Sequence, residues 1–169
     1  MVRKTTLVAA VALLAVVIGV RAEDKPPADA FDDATFVKMA AIDGMHEVEL
    51  GKIAQVQAKN DDVKKFAETM VKDHTKANEE LKTAAKAANI AVPDKIDDKH
   101  QKEIDRFKDY KGTNFDADYM KHMVTDHTEA VTLFTRASKE AKNKELKDFA
   151  TKTLPTIQAH LEQAKKLSK

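Results

Sequence analysis

The sequence has no cysteine, so no disulfide can brace the fold and its stability must come from packing. It has only 4 glycines and 4 prolines in 169 residues. Breakers this scarce, in a chain rich in Ala, Lys, Glu and Asp, predict an all-helical protein. Alternating strands of the kind that build a membrane barrel are missing. An excess of charge of one sign is missing too: 29 basic residues stand against 28 acidic ones. Without a strong basic field, nucleic acid is not expected as the main partner. No Ser/His/Asp, Cys/His or phosphate-loop pattern is present, which leans away from an enzyme.

There is one long apolar run, Leu7 to Val20, with Arg3 and Lys4 before it and Val20-Arg21-Ala22 after it. It is short for a membrane span and reads as a secretory signal over residues 1–22, with an uncleaved anchor as the competing reading. No cysteine follows it, so a lipoprotein anchor is excluded. Residues 23–33, with Pro26-Pro27, read as a flexible lead, and residues 34–169 as one domain. Without the signal, 26 basic residues face 28 acidic ones, a net charge of −2 with no membrane span left. A periplasmic or secreted location follows; a protein partner or oligomer is left open.

What is present is a repeat. Met-Val-Lys-Asp-His-Thr-Lys-Ala at 70–77 returns as Met-Val-Thr-Asp-His-Thr-Glu-Ala at 123–130, identical at six of eight positions. His74 follows Met70, and His127 follows Met123, by four residues, which places each pair on one helical face. Apolar periodicity predicts long helices over about 34–58, 61–89, 115–143 and 145–167, and a short one near 95–110. Asn60 is a candidate cap, as are Thr113 or Asn114. Gly44 and Gly51, seven apart, let a neighbouring helix approach. Pro155 falls inside the last helix, where it removes one backbone hydrogen bond and either distorts the helix or starts it anew. Two tight hairpins joined by a long crossover predict an all-α, ferritin-like four-helix bundle with a short crossover helix; an up-down-up-down bundle is the alternative.

Glu47, His74, His127 and His160 each lie within four positions of the middle of a predicted helix, about 6 Å along the axis at most. Midpoints of bundled helices meet, so one carboxylate and three imidazoles are expected in one layer. That is a ligand set for a mononuclear transition metal: Cu, Zn, Mn or Fe. Asp73 and Asp126, beside the repeat histidines, are cast as outer acceptors or interface salt-bridge partners. Met70 and Met123 are weaker candidates that would favour copper, because thioethers are soft. His46 with Glu49 is a weaker pair on another face, and His100 and His122 are read as solvent-facing. A buried His–Glu network without metal, acting as a structural or partner-binding module of the cell envelope, is the competing reading. A redox enzyme at the same site is the third.

The segments Glu47-Val-Glu-Leu-Gly-Lys-Ile-Ala54, Phe66-Ala-Glu-Thr-Met-Val-Lys-Asp-His-Thr75, Phe115-Asp-Ala-Asp-Tyr-Met120, Met123-Val-Thr-Asp-His-Thr128 and Thr153-Leu-Pro-Thr-Ile-Gln-Ala-His-Leu161 resemble a widespread bacterial exported family, domain-of-unknown-function family 4142. The resemblance spans about 35–167. It implies a ferritin-like fold, an extracytoplasmic location, and marked polar positions at Glu47, Asp73, His74, Asp126, His127 and His160. It supplies no activity. Diiron ferritins place Glu three residues before the ligating His. Here Val71, Val124 and Ile157 stand at those positions, which argues against iron storage.

Overall fold

The computed structural model describes residues 30–169; the signal-peptide reading of 1–22 lies outside the described residues. Among the described residues the regular secondary structure is all helical: α1 (Asp33–Gln57), α2 (Asp61–Ala87), α3 (Asp98–Lys108), α4 (Phe115–Glu140) and α5 (Lys144–Leu167). Every helix opens on a side-chain oxygen that accepts from a first-turn backbone N–H, which satisfies donors the helix itself cannot. The caps are Asp32, Asn60, Asp97, Asn114 and Asn143. α2 stops where Asn89 takes a left-handed conformation (φ 55°) and the Ile90 N–H donates back to the Ala85 carbonyl at 2.9 Å. α5 runs on through Pro155 without starting anew.

Two apolar clusters fix the helix directions. One joins the N-terminal parts of α1 and α5 (Phe36, Val37, Phe149, Ala150) to the C-terminal parts of α2 and α4 (Leu81, Ala85, Phe134, Ala137). The other joins Leu50 and Ala54 of α1 and Ala164 of α5 to Phe66 and Met70 of α2, Tyr119 and Met123 of α4, and Phe107 of α3. So α2 and α4 run parallel to each other and antiparallel to α1 and α5. The connection 88–114 therefore travels the length of the bundle, as the crossover arrangement requires. Along the way α3 lies beside α1, and Gln57 Nε2 donates to the carbonyls of Phe107 (3.2 Å) and Lys108 (2.9 Å).

The two hairpins clasp each other by the same device at opposite ends. Asp116, in the first turn of α4, accepts from the backbone N–H of Lys59 (3.0 Å) and Asn60 (2.8 Å) in the α1–α2 turn. Asp33, in the first turn of α1, accepts from Lys142 (3.0 Å) and Asn143 (2.8 Å) in the α4–α5 turn. Within the first hairpin, α1 and α2 approach closely at the two glycines: a Cβ on Gly51 would lie 3.1 Å from the Ala67 carbonyl oxygen and 2.8 Å from Val71 Cγ2.

Candidate metal centre

Between the two apolar clusters the bundle carries polar side chains. Glu47 projects from α1, His74 from α2, His127 from α4 and His160 from α5. Glu47 Oε2 lies 2.9 Å from His74 Nε2 and 3.3 Å from His127 Nε2. The rings of His74, His127 and His160 are 5.4–5.7 Å apart, centre to centre. Each of the three offers a ring nitrogen, and those nitrogens lie within 4.8 Å of one another. Glu47, His127 and His160 are buried, and the His74 side chain is 13% exposed.

Outer partners settle which nitrogen is free. His127 Nδ1 lies 2.9 Å from the Met123 carbonyl, so it is the protonated nitrogen and Nε2 carries the lone pair. His160 Nε2 pairs with Asp73 Oδ2 at 3.1 Å, which leaves Nδ1 facing no partner. His74 Nε2, His127 Nε2, His160 Nδ1 and Glu47 Oε2 are all buried without a hydrogen bond. The close approach of Glu47 to His74 is an ion-pair contact whose angles miss those of a hydrogen bond.

Charge in the layer is balanced internally. Burial opposes ionisation of Glu47, but His127 and His74 outweigh it and hold the carboxyl down at about 2. Burial pushes His74 down, yet the Glu47 carboxylate reverses this and the imidazole ends above its usual value. His160 falls to about 4 through burial and the neighbouring His74 and His127, and His127 is lowered by burial. Glu47 is thus held as the carboxylate and His127 and His160 as neutral imidazoles, the forms that bind a metal ion. Glu47 shifts His74, in contrast, toward its protonated form, and an ion binding there would have to displace that proton. The adjoining cavity of about 40 Å³, lined in part by Gly44, Glu47, His74 and His160, is small and mostly apolar.

The structure places the remaining expected residues differently. Asp126 does not serve the layer: its Oδ2 lies 3.1 Å from His122 Nε2 and 3.8 Å from His46 Nδ1, because one step along α4 turns it about 100° away from His127. Glu49 pairs with Lys52 at 2.6 Å at the surface and does not meet His46. His46 is buried instead under α3. His100 and His122, expected to face solvent, are half-buried with it: His100 Nε2 lies 3.4 Å from Asp43, and the His122 ring packs on Phe107 at 5.2 Å. Met70 and Met123 are fully buried in the apolar cluster around Phe66 and Tyr119. What sequence reasoning missed is thus a second polar group: His46 on α1, His100 and Glu103 on α3, His122 and Asp126 on α4. The signal available was the pairing of His100 with Glu103 and of His122 with Asp126, three and four apart on one helical face.

This is a ferritin-like crossover four-helix bundle with a buried His–Glu layer at mid-height. The chain belongs to the family described as a domain of unknown function, DUF4142, whose pattern it matches over residues 19–167. No curated protein matches it. Among solved structures, CopM in the Cu(I)-bound form is similar with a TM-score of 0.67 at 20% identity, over 80% of this chain and 94% of that one. CopM in the Cu(II)-bound form gives 0.66 at 17% identity, over 82% and 97%. The Ag-bound form obtained by soaking gives 0.65 at 19% identity, over 80% and 94%. Identity at this level establishes a common fold. No helix among the described residues is long and apolar enough to cross a membrane.

Proposed function

We propose that this protein is exported and binds one transition-metal ion in the layer formed by Glu47, His74, His127 and His160. The observation that carries the reading is the set of four buried donor atoms left without hydrogen-bond partners, one from each long helix. A buried polar atom without a partner costs about 1–3 kcal/mol. The ion-pair contacts of Glu47 with His74 and His127 offset part of that cost, His160 Nδ1 has no such contact, and a cation in the layer would relieve the remainder. Three imidazole nitrogens and a carboxylate fit a first-row ion. Asp73 and the Met123 carbonyl hold His160 and His127 in orientation, and Glu47 offsets the ion's charge. The ion, when bound, supplies a positive centre that ties all four helices together.

Copper is the favoured metal within this reading. The parallel run of α2 and α4 puts Met70 and Met123 on the same side of the layer, and the copper- and silver-bound forms of the similarly folded CopM support the choice. Metal analysis of the protein purified from its own export compartment tests the site. Glu47→Ala and His127→Ala are each expected to remove one bound equivalent, and Glu49→Ala none. Equal metal content in all three variants sinks the reading. In that case the Glu47–His74 and Asp73–His160 contacts are a structural network, and their double variants should be non-additive in stability. N-terminal sequencing of the same preparation should begin at Glu23; a chain that still starts at Met1 overturns the cleaved signal.

A further inference from the structure

We propose that His46, Glu103 and His122 form a second metal site, separate from the four-helix layer, that takes a divalent first-row cation of the Zn²⁺ type. The three residues come from α1, α3 and α4. Glu103 Oε2 lies 3.5 Å from His46 Nε2 and 3.6 Å from His122 Nε2. Ligands held about 2.0–2.2 Å from an ion at tetrahedral angles stand roughly 3.4 Å apart, so these separations are those of neighbouring ligands. The three donors lie within 4.8 Å of one another.

An independent observation points to a ligand here. His46 is 2% exposed, and its Nε2 is buried without a hydrogen-bond partner; His122 Nε2 and Asp126 Oδ2 are in the same condition. All three face one polar cavity of about 240 Å³, roomy enough for an ion with bound water. The wall of that cavity contains no sulfur, so its chemistry differs from that proposed for the layer. Two imidazoles and one carboxylate suit a borderline divalent ion and leave its fourth position for water. Asp126 Oδ2, 3.1 Å from His122 Nε2, is placed to accept from that water, and His100, held at 2.7 Å by Asp97, edges the opening against the His46 ring at 4.9 Å. Asp43 and Glu47 line both this cavity and the smaller one beside the layer, so the two sites share a wall.

The test is calorimetric titration of the metal-free, full-length mature chain with Zn²⁺. The variants are Glu103→Gln, His122→Gln and their double, and separately the inner-layer variant His127→Gln. Glu103 lies at the protein surface on a short helix, so its substitution leaves the bundle packing in place. The expected result is two equivalents in the parent. Glu103→Gln and His122→Gln should each weaken one of them at least tenfold, and His127→Gln should spare that one. A parent with a single equivalent that Glu103→Gln removes and His127→Gln does not would support this site and count against the inner one. The proposal is overturned if the Glu103→Gln, His122→Gln double variant keeps the parent's stoichiometry and affinity, or if the parent binds no Zn²⁺.

Discussion

At the scale of single residues, α1 places two adjacent side chains, His46 and Glu47, into two different polar groups. A step of about 100° per residue is enough to aim Glu47 at α2 and α4 and His46 at α3. The same step separates Asp126 from His127 on α4. Asp126 consequently sits in a carboxylate-rich cavity, and its carboxyl is pushed up to about 8 by burial and by Glu47 and Glu103. In the unfolded chain the group ionises near 3.9. Between those values the folded state holds the extra proton, so the group weighs increasingly against folding as pH rises from about 4 to about 8. Asp126→Asn removes that burden. In the metal-free protein its urea midpoint should therefore exceed the parent's by a margin that widens between pH 4.5 and pH 8. A constant or narrowing margin refutes the assignment. Glu47 behaves in the opposite sense: against burial, His127 and His74 hold its carboxyl down at about 2, and its carboxylate in turn raises His74. Glu47→Gln leaves His74 facing a neutral amide and should lower the metal-free protein's stability by about 1–3 kcal/mol at pH 7, read by urea denaturation. No loss would mean that the pair contributes nothing.

At the scale of elements, the two glycines of α1 look alike in sequence but face different obstacles. A Cβ at Gly44 would meet Asn78 Oδ1 at 2.1 Å, the far end of a side chain that can rotate away. At Gly51 it meets the Ala67 carbonyl and the β-branched Val71, a stiff wall on α2. Alanine gains about 1 kcal/mol of helix propensity at either site. Gly44→Ala should therefore be neutral or stabilising. Gly51→Ala should lose about 1–2 kcal/mol net, because overpacking costs more than the propensity returns. Thermal melts of both variants check the order, and a reversed order would place the close α1–α2 contact elsewhere. The sequence made the helices and their caps legible because local signals set them: Asn60 and Asn114 cap where expected, and the four long helices end within three residues of their periodic stretches. The layer's geometry was legible for the same reason, since residues near the midpoints of bundled helices meet at mid-height. The second polar group was not, because its position depends on where α3 docks. Nothing in the periodicity of 95–110 says which face of α1 it covers. His100 sits among lysines and acids, which makes it read as solvated, and His122 lies off the apolar stripe of α4, so neither is legible as a site until Glu103 is seen against His46.

At the scale of the whole molecule, the layer separates two apolar clusters that share all four long helices. Ion binding there would join those helices across the polar gap, and ligand binding to the native state alone raises stability by mass action. At a free metal concentration of 100 times Kd the gain is about 2.7 kcal/mol, which for a chain of this size raises Tm by roughly 5–10 °C. That shift also reports which donors are used. Met70 and Met123 lie in the cluster with Phe66 and Tyr119, on the same side of the layer. Replacing both with Leu keeps volume and apolarity, costs less than about 1.5 kcal/mol at each position, and removes only the sulfur. If thioethers join the site, the Met70→Leu, Met123→Leu variant should lose most of the Tm rise produced by Cu(I) yet keep the rise produced by Zn²⁺, which imidazole and carboxylate satisfy. Melting curves of parent and variant, each metal-free, with Cu(I) and with Zn²⁺, give the answer in one comparison. A Cu(I) shift equal in both proteins would make the methionines packing alone and leave the three imidazoles and Glu47 as the layer's complete set of donors.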